Sequence, residues 1–187
     1  MEDLIVLSKK IGFTAAAILR RPQLEYRPEV RDMCAMNLCG VYGKSWICPP
    51  ACGSLDEICK KAERFMDGLL VQTTVQLEDS FDYERMQAGM QKHQKQLEAL
   101  VDRCRNMGME ILPMGAGGCT RCENCTYPAA PCRFPDKAFS SMEAYGLLVN
   151  DVCRQAGLGY YYGSNTLTYS ALLLVHKNSE TKQGSHE

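Results

Sequence analysis

The spacing of apolar residues predicts two helices in the first third of the chain. Apolar residues recur at helical spacing over residues 4–11, and Gly12 is placed to end that helix in a left-handed cap. Ser54 followed by Glu57 has the form of a capping box, in which each residue binds the backbone N–H of the other. That box predicts a helix over residues 55–66.

Two more helices are predicted in the second half of the chain. One long amphipathic helix is indicated over residues 81–107, where apolar residues return every three or four positions until Gly108. Ser140 and Glu143 form a second capping-box pattern, which predicts a helix that ends at Gly157.

Runs rich in β-branched, aromatic and other apolar residues predict strands between these helices. They cover residues 13–19, 69–77, 109–114, 160–162 and 166–176. The last run is apolar on both faces, because Leu173 and its alternate neighbours share one face while Leu172 and Leu174 occupy the other. A strand of this kind belongs near the middle of a covered sheet.

The predicted fold class is therefore α+β. We expect a single domain over residues 1–176, in which a mixed sheet is covered by helices and the helix over residues 81–107 packs on the last strand. A polar tail is expected over residues 177–187.

Composition and charge narrow the classes of function. The 187 residues carry 21 Lys and Arg against 22 Asp and Glu, a net charge of −1 that argues against a nucleic-acid binder. No apolar run approaches the roughly 20 residues of a membrane span. The start, Met1-Glu2-Asp3, is acidic where a secretory signal would be basic, so we expect a cytoplasmic protein.

The cysteine content is the feature that points to chemistry. Eleven cysteines, an odd number in a chain that we expect to be cytoplasmic, make a disulfide framework a poor interpretation and favour metal binding. Most fall in a first cysteine segment (residues 34–59) and a second cysteine segment (residues 117–135). Cys104 and Cys153 lie in helical patterns and are expected in the core, as is His93 on the apolar side of the long helix.

The second cysteine segment has the sharper spacing. Cys119, Cys122 and Cys125 follow one another at C-x2-C intervals, and Cys132 comes after six more residues, beside proline. The arrangement is similar to the ferredoxin run C-x2-C-x2-C-x3-C-P but is longer in its last interval. It predicts that all four thiols bind one [4Fe–4S] cluster. Zinc is the alternative, although zinc sites more often use separated cysteine pairs or histidines.

The first cysteine segment is less regular. Cys34, Cys39 and Cys48 lie in a stretch rich in glycine and proline, and they predict a second metal site. Cys52 and Cys59 compete to be the fourth ligand. The dipole at the start of the following helix favours Cys59 as a thiolate. Cysteines packed as apolar residues are the alternative interpretation of the whole segment.

These residues together resemble the family of predicted metal-binding proteins labelled domain of unknown function 2284, over about residues 25–176. The likeness is carried by Cys34, Cys39-Gly40-Val41-Tyr42-Gly43-Lys44, Trp46-Ile47-Cys48-Pro49-Pro50, Gly118-Cys119-Thr120-Arg121-Cys122, Pro131-Cys132-Arg133, Ser141-Met142-Glu143-Ala144 and Thr166-Leu167-Thr168-Tyr169. The resemblance implies a cysteine-rich protein of bacteria or archaea, common in anaerobes, that binds metal as iron–sulfur. It also implies a ligand near Cys59 and marks Ser141, Met142 and Glu143, but it brings no reaction.

Three functions fit this pattern. The first is an iron–sulfur protein with one or two [4Fe–4S] clusters, a redox or electron-transfer accessory in anaerobic metabolism that acts with a redox protein partner. The second is a zinc-stabilised binding module. The third is an enzyme with an open iron held by only Cys34, Cys39 and Cys48, in which the candidate substrate contacts are Tyr42, Lys44 and Arg133. No oligomeric state is indicated.

Overall fold

The computed structural model describes residues 1–20, 22 and 24–176, so the tail expected over residues 177–187 lies outside the described residues. In chain order the elements are α1 (Glu2–Ile11), β1 (Ala15–Arg20), α2 (Pro28–Ala35), α3 (Leu55–Ala62), β2 (Asp67–Gln76), α4 (Tyr83–Asn106), β3 (Ile111–Met114), α5 (Val149–Gln155) and β4 (Thr166–Val175). Short 3₁₀ turns cover Pro135–Lys137 and Glu143–Tyr145. The α+β prediction is confirmed.

The four strands form one sheet in the order β1-β2-β4-β3, and every pairing is antiparallel. The expectation of a mixed sheet is therefore wrong. The connection β2-α4-β3 does join two strands that run in the same direction, since both are antiparallel to β4. The two are not neighbours, however, because β4 is inserted between them and pairs with each. The arrangement is a split βαβ unit.

Two apolar layers cover the sheet, as the two-faced pattern of the last strand predicts. On one face Leu173 packs with side chains of α1 and α4, and on the other Leu172 packs with side chains of α3 and α5. Leu173 is fully buried. The two isolated cysteines are also fully buried, Cys104 in the first layer and Cys153 in the second, so their expected core positions are confirmed.

The helix ends follow the local sequence where it is explicit. Gly12 ends α1 in the left-handed conformation, at φ 107°. The Ser54 hydroxyl accepts from the Glu57 backbone N–H, and the Glu57 carboxylate accepts from the Ser54 N–H at 2.8 Å, which completes the capping box of α3. None of the described helices is long and apolar enough to cross a bilayer.

Three local predictions are wrong: the helix between Ser140 and Gly157, its capping box and the strand over residues 160–162. The helix expected between Ser140 and Gly157 breaks at Gly146, where φ is 77° and an added Cβ would lie 2.7 Å from the Leu55 side chain. The predicted second capping box is absent there, and only Val149–Gln155 is α-helical. The chain does turn at Gly157, which has a φ of 68°.

Residues 160–162 do not form a strand. The Tyr162 hydroxyl donates to Gln72 Oε1 at 2.7 Å, and Gln72 Nε2 donates to the Gly159 carbonyl at 2.8 Å, so buried side-chain bonds hold this loop in place of a backbone ladder. The helix α2 was not predicted. Its first turn begins at Pro28, a residue well suited to that position, and only Val30 of its side chains is buried.

His93 is buried in the layer between α4 and the sheet, as expected. Thr73 Oγ1 donates to Gln96 Oε1 at 2.7 Å and therefore accepts from His93 Nδ1–H at 2.9 Å. Among the described residues, His93 Nε2 has no hydrogen-bond partner. Burial lowers the pKa of His93 to about 4, so the imidazole is neutral at pH 7.

We predict that this histidine makes the fold sensitive to mild acid. Because the pKa of His93 is lower in the folded state than in the unfolded chain, protons bind the unfolded state first. The free energy of unfolding should fall from about pH 6.5 towards about pH 4, by up to about 3 kcal/mol. Denaturant unfolding of the parent and His93→Gln at several pH values checks this. An equal pH slope in both proteins would contradict it.

Candidate metal centre

The first cysteine segment begins on the last turn of α2, which carries Cys34, and ends in α3. Arg31, one turn earlier on α2, anchors the intervening loop. Its guanidinium donates to the Ala144 carbonyl at 2.8 Å and to the Gly53 carbonyl at 3.0 Å. The loop is therefore fixed both to the start of α3 and to the 3₁₀ turn at Glu143–Tyr145.

The second cysteine segment follows β3 and lies against α4. Thr120 Oγ1 donates to Gln94 Oε1 at 2.7 Å, and Gln94 Nε2 donates to the Gly118 carbonyl at 3.3 Å. Arg121 forms an ion pair with Glu98, one turn further along α4. One half-buried face of the long helix thus positions the residues on both sides of Cys119.

The two segments contact each other through Trp46 of the first. Its indole Nε1 donates to the Ala130 carbonyl at 3.0 Å, and its ring meets the Tyr127 ring edge to face, with centroids 5.0 Å apart. The cysteines predicted as two separate sets consequently lie in one region of the molecule.

Within the second set, Cys119 has the other three thiols as neighbours. The pKa of Cys119 is raised mainly by burial, and also by the neighbouring thiols of Cys132, Cys122 and Cys125. The backbone N–H of Arg121 acts in the opposite direction on Cys119.

Cys125 is the thiol best prepared to be a thiolate. The backbone N–H of Tyr127 lowers its pKa, with further contributions from the N–H groups of Trp46 and Thr126 and from the Ser45 hydroxyl. Ser45 and Trp46 belong to the first cysteine segment, so one segment donates hydrogen bonds to a sulfur of the other. Amide donors to sulfur are characteristic of iron–sulfur sites, whose reduction potential they adjust.

Three thiols of the first segment, those of Cys34, Cys39 and Cys48, line a cavity of about 220 Å³. Burial raises the pKa of Cys48 to about 11, and Cys39, Cys52, Cys34 and Cys119 add to the effect. Cys119 is the thiol of the second segment among these neighbours of Cys48. Cys48 and Cys119 therefore mark where the two sets approach each other.

The two competing fourth ligands are placed differently. Cys52 lies near Cys34 and Cys48 but is also 3.7 Å from Arg31 Nη1 and 3.7 Å from the Ala144 carbonyl oxygen. Cys59 lies on α3 and does not line the cavity. The pKa of Cys59 is raised by burial and by the carboxylates of its own helix, Asp56 and Glu63.

The three candidate substrate contacts have different surroundings. Tyr42 lines the cavity with the three thiols. Lys44 Nζ instead donates to the Gly40 carbonyl at 2.9 Å, and Arg133 donates to the Asn124 carbonyl at 3.0 Å. Glu143 lines the same cavity, although the sequence pattern assigned it to a helix cap.

The described thiols surround spaces rather than a point. In the part of the chain that the structure describes, no three Cys, His, Asp or Glu side chains converge as ligands of one metal ion. Four thiolates around a tetrahedral zinc, with Zn–S bonds of about 2.3 Å, would be within about 4 Å of each other. A cluster, with several irons between its thiolates, holds them further apart.

The chain belongs to the family described as predicted metal-binding protein (DUF2284), whose model matches residues 17–175. No curated protein gives a significant match. Among solved structures, an epoxyqueuosine reductase from Bacillus subtilis is similar, with 12% identity and a TM-score of 0.45. The match covers 100% of this chain but 49% of that chain. A TM-score this low establishes no shared fold.

Gly117, at the start of the second cysteine segment, provides a test of how this loop is held. Its φ is 69°, and an added Cβ would lie 2.8 Å from Met90 Cε on α4. Gly108 has a similar φ of 72°, but an added Cβ there meets nothing within 4 Å.

We predict that Gly108→Ala costs about 1–2 kcal/mol through backbone strain alone, whereas Gly117→Ala adds to the same strain a shift of the flexible end of Met90 and, because the loop before Cys119 is displaced with it, also lowers metal content. Adding Met90→Ala to Gly117→Ala should relieve the contact and recover metal. Denaturant unfolding and metal analysis of the purified proteins check this. Equal losses in the two single variants would show that α4 does not hold the loop at this contact.

Proposed function

We propose that this protein is an iron–sulfur electron-transfer protein with two neighbouring [4Fe–4S] clusters. Cys119, Cys122, Cys125 and Cys132 bind one cluster. Cys34, Cys39 and Cys48 provide the thiolates of the other. The observation that carries the proposal is the contact between the two cysteine segments through Trp46, with Cys48 and Cys119 close enough to interact electrostatically.

The donor set fits iron–sulfur chemistry. Seven thiols are available within the two groups, and soft thiolates are the ligands that such clusters select. The amide N–H groups around Cys125 and the N–H of Arg121 at Cys119 are suited to stabilise the negative charge of coordinated sulfur. The family description, predicted metal-binding protein, is consistent with this assignment.

When bound, such clusters accept and release single electrons. The contribution of the chain is to place them and to control their contact with solvent. Cys48 and Cys119 are partly buried, whereas Cys39 and Cys125 are exposed. Each site thus has one exposed thiol, so a redox protein partner that docks there can exchange electrons with either cluster.

Zinc is the competing metal, and a zinc protein would have different measurable properties. A zinc-stabilised binding module would require the thiol sulfurs of one group to move together around one ion. It would be colourless, would contain no acid-labile sulfide and would carry no electrons. The same preparation therefore discriminates the two metals.

We predict that protein purified without oxygen contains about eight irons and about eight sulfides per chain. Replacing Cys119, Cys122 or Cys132 by Ser should remove about four irons, because each change deletes one cluster ligand. Replacing Cys34 or Cys48 by Ser should remove the other four. Iron and sulfide analysis with the visible spectrum checks these values.

Cys104→Ala is the matched control, since this cysteine is buried in the core between α4 and the sheet and should leave the iron content unchanged. Cys59→Ser should also retain about eight irons. Zinc with no sulfide in the parent protein would refute the proposal. A parent with about four irons would restrict it to a single cluster.

A further inference from the structure

We propose that the carboxylate of Glu143 is the fourth ligand of the first metal site, beside the thiolates of Cys34, Cys39 and Cys48. The inference rests on the proposed function and deepens it, since it assigns the coordination position that the three thiols leave open. Neither of the cysteines that compete for this position in the sequence, Cys52 and Cys59, is required.

The cavity of about 220 Å³ is the first support. Its wall is formed by the three thiols and by one acidic side chain, Glu143, together with Tyr42 and backbone of the second cysteine segment. Glycines 117 and 118 form that backbone wall. Among the residues that the structure describes, Glu143 is thus the one carboxylate lining this cavity.

The backbone around Glu143 is held towards the thiols. Cys34 Sγ lies 3.9 Å from the carbonyl oxygen of Glu143, and the next carbonyl, that of Ala144, accepts from Arg31 at 2.8 Å. Cys34 and Arg31 are both on α2, so one helix positions the thiol and the glutamate together.

The local structure also leaves the Glu143 side chain free of the capping role that its sequence suggests. The 3₁₀ turn Glu143–Tyr145 has Met142 at its N-cap position, with no side-chain cap bond. Ser141 Oγ instead accepts from the Ala144 N–H at 3.1 Å and stabilises the turn. The glutamate is exposed at the mouth of the cavity.

Both rival cysteines have other surroundings. Cys52 does not line the cavity. It packs against the core on the α3 and α5 side of the sheet and contacts Arg31 and the Ala144 carbonyl. Cys59 is on α3, beside the carboxylates of Asp56 and Glu63, whose negative charge disfavours a second anion there.

A carboxylate ligand has a chemical consequence. Iron in a cluster prefers soft thiolate, so an iron bound by a hard oxygen donor is the one most easily exchanged or lost. Glu143 and Cys39 are both exposed, and this iron therefore faces solvent. A small ligand with an oxygen or nitrogen donor could replace the carboxylate, with Tyr42 beside it in the same cavity.

The test uses the full chain, purified without oxygen and labelled with ⁵⁷Fe. Mössbauer spectroscopy of the parent should show about one distinct iron in eight, and mild oxidation should remove that iron first. Glu143→Cys should abolish the distinct iron and slow its loss. Glu143→Ala should lack that iron in the purified protein, and Glu143→Gln should lose it faster than the parent.

Glu29→Ala, which removes an exposed carboxylate in the first turn of α2, is the matched control and should behave like the parent. Circular dichroism shows whether each variant is folded. If all three Glu143 variants show the spectra and the rate of iron loss of the parent, the assignment is overturned while the two-cluster proposal stands. Iron loss in Cys52→Ser or Cys59→Ser would then identify that cysteine as the fourth ligand. About four irons in the parent, unchanged by Cys34→Ser, would refute both.

Discussion

The docking of Trp46 onto the turn at Tyr127–Ala130 is the interaction on which the rest of the candidate site depends. The two cysteine segments are separated by a long stretch of sequence, and neither has regular structure around its central cysteines. The indole contact, with its bond to the Ala130 carbonyl, joins them. The same contact places the backbone N–H of Trp46 and the Ser45 hydroxyl at the sulfur of Cys125. Both lower the pKa of Cys125 and so favour the thiolate form of this ligand.

The edge of the sheet supports the two cysteine segments. Gly115, just after β3, forms a parallel bridge with Ser141, and its N–H donates to the Ser140 carbonyl at 2.8 Å. This bridge brings the two ends of the second cysteine segment together at the edge of the sheet. It also leads the chain directly into the turn that carries Glu143, so the rigid sheet edge positions both the second set of thiols and the cavity of the first.

The features that the sequence predicted correctly are those that depend on local interactions. The capping box at Ser54, the left-handed cap at Gly12 and the two-faced burial of β4 each depend on near neighbours or on simple periodicity. The spacing of the second set of cysteines predicts that these four thiols bind one metal centre, and this stays a prediction. Partner choice in the sheet depends on distant parts of the chain, which is why the insertion of β4 between two parallel strands was not anticipated.

Distant contacts also decide the surroundings of the first cysteine segment. The dipole of α3 favours Cys59 as a ligand, which stays a prediction, but sequence alone could not show that the carboxylates of Asp56 and Glu63 raise the pKa of this thiol. The capping pattern at Glu143 was misleading because Gly146 must turn against Leu55 and interrupts the helix. The resemblance to a metal-binding family had marked Glu143, and this was the available indication of its position at the cavity.

The central claim, that two clusters lie side by side where the cysteine segments meet, is tested most directly by electron paramagnetic resonance of the fully reduced protein. Two neighbouring reduced clusters perturb each other magnetically. The account predicts a broadened, split spectrum in the parent, which becomes the simple spectrum of one isolated cluster in Cys34→Ser and in Cys119→Ser. A simple spectrum in the parent, or no paramagnetic signal at all, would contradict it.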